Sequence, residues 1–331
     1  MSLEEQTAPG REFHLFSGNA NLALAQEVAD FLHIPLGAME ASRFPDGEIH
    51  VRCQESVRGQ DVFLLQPTCP PVNENLVELL VMIDSLKRAS ARSITAIVPY
   101  YGYGRQDRKT KPREPITAKL VADLLTVAGA NRVVAVDLHA GQIQGFFNIP
   151  FDNLTASLLF QDYFLKKKGL QEAVVVSPDI GRVPRTRILS DKLNYSLAIV
   201  EKRRMGPDRV ETMGVIGDVS GKVAVLVDDM ITTGKTLLSA ADTIYKAGAR
   251  QIIAACTHAV LCGDSVKMLA DSPIAELVVT NTVPIPPEKM IDKIKVLSVA
   301  PLLGEGITRI RENRSISDLF SYGSSEQIAL Y

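Results

Sequence analysis

"KVAVLVDDMITTGKTLLSAADTIYKAGARQIIAACTHAV", residues 222–260, decides the fold. Its first part is a β-branched apolar run with no polar alternation, the signature of a strand buried on both faces. The run ends in two adjacent acids, Asp228 and Asp229, followed by a short loop of Thr, Gly and Lys. A helical stretch then places Leu237, Leu238, Ala241, Ile244 and Tyr245 on one stripe, and Gly248 marks its end. A second apolar run, "IIAACTHAV" (252–260), completes a strand–helix–strand unit. That order is the building block of a parallel sheet covered by helices.

The same alternation extends outward along the chain. Residues 93–101, 132–139 and 172–179 read as further buried strands, and residues 73–90, 115–130 and 183–193 as helices. Strands and helices alternating in both halves imply an α/β protein of mainly parallel sheets flanked by helices. With 331 residues and roughly 100–200 residues per domain, two domains are expected. No Gly/Ser/Pro-rich linker separates them. The boundary is set near "NIPFDNLT", giving an N-terminal domain at 1–151, a C-terminal domain at 152–320, and a loose tail at 321–331.

Composition excludes several classes. The net formal charge is -2, which argues against bulk nucleic-acid binding. No apolar stretch approaches the ~18 residues of a membrane span, and the start lacks a basic, then apolar, leader. A cytoplasmic protein with no nucleic-acid or membrane partner is expected. Cys53, Cys69, Cys256 and Cys262 show no C-x-x-C spacing, so neither zinc nor disulfides are expected.

In a parallel sheet, ligands gather beyond the carboxyl ends of the strands. The loop after Asp229 enters a helix N-terminus and offers N–H groups and hydroxyls to an anion, while a carboxylate can accept from vicinal sugar hydroxyls. A sugar phosphate satisfies both demands; the alternative is an acidic turn that merely caps a helix. Adjacent residues of a strand point to opposite faces, so the two acids are not expected to meet on one ion. A nucleotide P-loop is rejected, because it needs glycine where Asp229 stands. "YYGYGRQDRKTKPREP" (100–115) is either a solvated surface loop or an anion-binding loop in which Arg105 also stacks on a base. "VEKRRMGPDR" (200–209) carries Lys202, Arg203 and Arg204 out of a strand end into a loop, with the same two readings. His139 and Asp179, each at a strand end, form a candidate Mg²⁺ or phosphate pair, although His is an unusual Mg²⁺ ligand.

Taken in order, "SGNANLALAQEVADFL", "RFPDGEIHV", "YYGYGRQDRK", "VDLHAGQIQGFF", "VSPDIG", "EKRR", "LVDDM" with its loop, and "SISDLF" resemble the ribose-phosphate pyrophosphokinase (phosphoribosyl diphosphate synthetase) family across nearly the whole chain. The resemblance implies two phosphoribosyltransferase-like domains and transfer of the diphosphate of ATP to ribose 5-phosphate. It also implies dependence on Mg²⁺ and a homo-oligomer, a hexamer, regulated by phosphate and ADP. It places adenine on Phe44, from a neighbouring subunit, with Asp46 and Glu48 at the base edge and Arg105 and Gln106 holding the nucleotide. It gives His139 and Asp179 to Mg²⁺, Lys202 and Arg204 to a mobile catalytic loop, and Asp228, Asp229, Thr232, Thr233, Gly234, Lys235 and Thr236 to ribose 5-phosphate.

The chain departs from the family pattern at the sugar-phosphate loop. Thr232 stands for a third acid and Lys235 for the last glycine, and upstream Arg182 and Pro184 replace Gly and a small or β-branched residue. Pro184 suits a helix's first turn. The altered loop leaves two other readings beside an active synthetase: a non-catalytic regulatory paralogue, and a phosphoribosyltransferase that consumes the diphosphate.

Overall fold

The structure of the chain is a computed structural model that describes residues 12–204 and 210–320, without the side chains of residues 202–213 and 320. In chain order the first elements are β1 (Phe13–Ser17), α1 (Leu22–Leu32), β2 (Met39–Arg43), β3 (Ile49–Cys53), β4 (Asp61–Leu65), α2 (Val72–Arg88), β5 (Ser93–Val98), α3 (Thr117–Ala128), β6 (Arg132–Val136) and β7 (Phe151–Leu154). Next come α4 (Ser157–Lys166), β8 (Ala173–Ser177), α5 (Val183–Leu193), β9 (Ser196–Arg204), β10 (Val210–Ile216), β11 (Val223–Ile231) and α6 (Lys235–Lys246). The rest are β12 (Gln251–Ala259), α7 (Ser265–Ala270), β13 (Ile274–Thr280), β14 (Ile294–Leu297) and α8 (Ala300–Arg311).

The described residues divide into two compact units, one of residues 12–155 with 298–320 and one of residues 156–297. The first has a five-stranded sheet in the order β1-β4-β5-β6-β7, every pair parallel, with β2 and β3 forming a separate antiparallel hairpin. Its core joins Phe16, Leu64 and Ala96 of the sheet to Leu79, Met82 and Ile83 of α2 and Val121 and Leu125 of α3. Apolar β-branched strands pack against helices that each bury one stripe, which is the expected α/β arrangement.

The second unit has a seven-stranded sheet, β10-β9-β8-β11-β12-β13-β14, parallel except for β10 against β9. β8 connects through α5 to β9 on one side, whereas β11 connects through α6 to β12 on the other. The chain therefore reverses direction between β8 and β11, and at such a switch point the two loops diverge and leave a crevice. In the first unit the sheet order runs one way only, so the fold alone directs attention to the second.

Two expectations are corrected by packing. The segment 298–320, expected with the C-terminal domain, belongs to the first unit, where α8 packs on α1. The break before it lies at residue 155, close to the expected 151. On α6, Leu237, Leu238, Ala241 and Ile244 are buried as the stripe requires, but Tyr245 is 62% exposed. Its angular position is right; the helix's last turn leaves it uncovered.

Candidate active site

The switch point is built from three short pieces of chain. β8 ends at Ser177, and Asp179 follows it as the cap of a 3-10 turn over Ile180–Arg182. Asp179 Oδ1 accepts from the backbone N–H of Arg182 at 3.1 Å, which fixes where the arginine side chain departs. β11 lies between β8 and β12 in the sheet and carries Asp228 and Asp229 near its carboxyl end. The loop from Thr232 to Gly234 then leads into α6.

The two acids converge. Arg182 Nη2 lies 2.8 Å from Asp229 Oδ1 and its Nε 3.4 Å from Asp228 Oδ1, so one guanidinium spans both carboxylates. The backbone N–H of Asp229 also donates to Asp228 Oδ1 at 2.9 Å. This corrects the expectation that strand alternation keeps the acids apart. Arg182 has no assigned role in the family pattern, yet it is a member of this site. The sequence places it three residues after Asp179 at a strand end, but that this strand lies beside β11 is a property of the fold.

Burial governs the electrostatics here. The side chains of Asp229 and Asp228 are 2% and 10% exposed. Loss of solvent raises the Asp228 carboxyl above the ordinary carboxylate range, the charge of Asp229 adds to this, and Arg182 partly opposes it. Cys256, opposite Asp228 on β12, is fully buried, and burial pushes its thiol well up. A buried thiol in that state is a packing residue rather than a nucleophile. On the same strand His258 is buried, with Nδ1 2.8 Å from Thr282 Oγ1, a core histidine.

The loop is pinned at its start and open at its end. The Ile231 carbonyl accepts from Val260 and Leu261, and the Thr232 carbonyl accepts from Cys262 at 2.9 Å. Gly234 then takes φ +78 as the N-cap of α6, and no side chain caps that end. The first-turn N–H groups of a helix lack intrahelical partners and, with the dipole, favour an anion. Thr233, Lys235 and Thr236 are exposed around this end.

Lys202 and Arg204 were expected on a mobile loop. Their backbone instead forms the end of β9, with Lys202 opposite Thr212 and Arg204 opposite Val210. Their side chains lie outside the described residues.

The remaining candidates belong to the first unit. Phe44, Asp46 and Glu48 share the tight turn between β2 and β3, where Phe44 N–H donates to the Glu48 carbonyl and Glu48 N–H to Asp46 Oδ1. Phe44 is 49% exposed, and its ring centroid lies 5.2 Å from that of His50. Arg105 and Gln106 follow β5 and are exposed. His139 follows β6 and stands against the same loop, because a Cβ built on Gly104 would lie 3.7 Å from the His139 Cβ. The tyrosines of "YYGYG" divide. Tyr100 and Tyr101 are buried and Tyr101 donates to the Ala118 carbonyl, so they brace the loop while its basic residues face solvent.

His139 and Asp179 therefore sit in different units, and among the described residues no group of three or more His, Cys, Asp or Glu could hold a metal. A single carboxylate and a single imidazole do not make a protein cage for Mg²⁺. Each by itself suits only an ion held chiefly by substrate phosphates, the usual mode for Mg²⁺. No helix among the described residues is long and apolar enough to cross a membrane.

Comparison with known proteins agrees with this architecture. Residues 13–129 match the model for the N-terminal domain of ribose phosphate pyrophosphokinase, and residues 203–321 match the phosphoribosyl synthetase-associated domain. The chain is 56% identical over 307 residues to the ribose-phosphate pyrophosphokinase of Caldanaerobacter subterraneus subsp. tengcongensis, covering 93% of this chain and 97% of that one. It is 55% identical to that of a Nostoc species over 92% of this chain and 93% of the relative. The crystal structure of phosphoribosylpyrophosphate synthetase from Mycobacterium smegmatis superposes with a TM-score of 0.87 at 46% identity, covering 92% of this chain and all of that one. The chain belongs to the ribose-phosphate pyrophosphokinase family.

Proposed function

We propose that the chain transfers the diphosphate of ATP to the 1-hydroxyl of ribose 5-phosphate, giving 5-phospho-α-D-ribose 1-diphosphate and AMP. The observation that carries this reading is the juxtaposition, at one switch point, of a buried carboxylate pair and an uncapped helix N-terminus. Asp228 and Asp229 accept from the ribose hydroxyls. The N–H groups at the start of α6, with Thr232, Thr233, Gly234, Lys235 and Thr236, hold the 5-phosphate. The sugar is thereby fixed at both ends, and its 1-hydroxyl is presented in one orientation.

Phosphoryl-type transfer of this kind needs positioning and charge stabilisation rather than a covalent enzyme intermediate. Lys202 and Arg204 supply positive charge as the transferred group leaves. Phe44 stacks on adenine, Asp46 and Glu48 read its edge, and Arg105 and Gln106 hold the nucleotide. Phe44, half-exposed on a hairpin tip, is open to stack on adenine bound by a neighbouring subunit of a homo-oligomer, a hexamer. Regulation by phosphate and ADP and a cytoplasmic location belong to the same proposal. Mg²⁺, placed with the help of Asp179 and His139, would neutralise charge on the phosphate oxygens.

The test is formation of AMP and the sugar diphosphate from ATP, ribose 5-phosphate, Mg²⁺ and inorganic phosphate by the purified chain and by Lys202→Ala. Product from the wild type and a loss in turnover on the order of 100- to 1000-fold in the variant are expected. Near-normal turnover in the variant would remove Lys202 from the mechanism. ATP binding without product would instead favour a non-catalytic regulatory paralogue. The occupation of the carboxylate pair by Arg182 is the observation on that side.

A further inference from the structure

We propose that Arg182 is a built-in counter-cation of the ribose site, a positioning residue that holds Asp228 and Asp229 side by side and makes their grip on the sugar hydroxyls independent of a divalent ion. The inference rests on reading this carboxylate pair as the sugar subsite.

The geometry assigns the role. Two adjacent carboxylates, almost out of solvent, repel each other and need a compensating charge. A guanidinium cannot lose its proton, and its planar fork of five donors can serve two acceptors at once. Arg182 stands within ion-pair reach of both, at 2.8 Å from one acid and 3.4 Å from the other, with its own side chain 19% exposed. It is held in place twice, by the cap bond from Asp179 to its backbone N–H and by the start of α5, whose first turn contains Pro184. It therefore stands over the acids before any ligand arrives. Against the family pattern, Arg182, Thr232 and Lys235 all change local charge in the same direction. A site that has lost one acid and gained two cations has moved its charge balance from diffusible ions onto the chain.

Removing the guanidinium leaves two like charges facing one empty position of cationic character. A divalent cation from solution can take over that charge, since both Oδ1 atoms face the Arg182 guanidinium. Without such an ion the acids are no longer held side by side, and the hydroxyl-accepting geometry is lost.

The test is calorimetric binding of ribose 5-phosphate to the full chain without ATP, in EDTA and again with millimolar Mg²⁺. The proteins compared are the wild type, Arg182→Ala and Arg182→Lys. Wild-type affinity should be the same in both buffers. Arg182→Ala should bind roughly 10- to 100-fold more weakly in EDTA, the loss of a charge-assisted interaction, and recover most of that with Mg²⁺. Arg182→Lys keeps the charge without the fork, so it should lose less and stay indifferent to Mg²⁺. Equal affinity of Arg182→Ala and wild type in EDTA would overturn the proposal. So would a wild type that needs Mg²⁺, or an alanine variant with unchanged melting temperature that Mg²⁺ does not rescue. If Arg182→Ala fails to fold, Arg182→Lys decides alone, and Mg²⁺ dependence in it sinks the idea. A wild type that makes product while the Arg182 variants behave normally defeats this inference only; a wild type that never binds ribose 5-phosphate defeats the sugar-site reading beneath it.

Discussion

At the scale of single residues, the site differs from its sequence reading in one respect that matters for chemistry. Asp228 and Asp229 were legible as a strand-end pair, and strand alternation assigned them to opposite faces. One guanidinium, that of Arg182 at the end of the neighbouring strand, reaches both, and no local pattern encodes a contact between residues so far apart in sequence. The raised Asp228 carboxyl gives this a measurable consequence. Its folded form holds a proton more tightly than the unfolded form, so the folded state binds the extra proton once the pH passes the ordinary carboxylate range, near about 4. Stability must then fall as pH rises from there, by up to about 1.4 kcal/mol per pH unit for one proton. Asp228→Asn abolishes this titration. Its melting temperature relative to wild type should therefore climb steadily from pH 5 to pH 8, and a difference that is flat or falls over that range would contradict the raised carboxyl.

At the scale of elements, the segments with strong periodicity or dense β-branching were readable and those with neither were not. α5 lies where the pattern places it, and β11 and α6 are each shifted by a residue or two at the loop. The strand runs through Ile231 and the helix begins at Lys235, so only Thr232–Gly234 separate them. β1 (FHLFS) and β4 (DVFLL) carry almost no β-branched residues, whereas β6 (RVVAV) and β8 (AVVVS), of the same length, are rich in valine and were readable. The tight loop places its demand on Gly234, whose φ of +78 disfavours any Cβ, and a Cβ there would stand 3.1 Å from Leu238 Cδ1. Gly234→Val puts a β-branched residue into the left-handed region and crowds the first turn of α6. A loss of roughly 1–3 kcal/mol is expected from denaturant midpoints. The same variant should raise the KM for ribose 5-phosphate more than that for ATP, because the phosphate-holding N–H groups belong to that turn. Equal effects on both substrates would detach the loop from the sugar phosphate.

At the scale of the whole molecule, the chain order and the packing order disagree. The first unit is left at residue 155 and rejoined at residue 298, so the second unit is an insertion in the sequence of the first. Nothing in the sequence of α8 announces this: with Pro301, Gly304 and Gly306 it reads as a poor helix. Its glycine has a tertiary reason. A Cβ at Gly304 would lie 2.2 Å from Phe31 Cδ1 of α1, a separation that real atoms do not tolerate. Close approach of the two helices therefore depends on the missing side chain. Ser298 Oγ donates to Glu27 at the same interface, and the Arg311 guanidinium lies 3.8 Å from the Phe13 ring centroid of β1. On propensity alone, Gly304→Ala should stabilise α8 by about 1 kcal/mol. Packing reverses that sign, and a net loss of roughly 1–3 kcal/mol is expected from the forced shift of Phe31. Phe31→Leu in the same background should return part of the loss, because it removes the ring that the new methyl strikes. A double-mutant cycle on unfolding free energies reads this as a coupling of at least about 0.5 kcal/mol. Additive effects, or an alanine variant more stable than wild type, would mean that α8 does not rely on this contact to close the first unit.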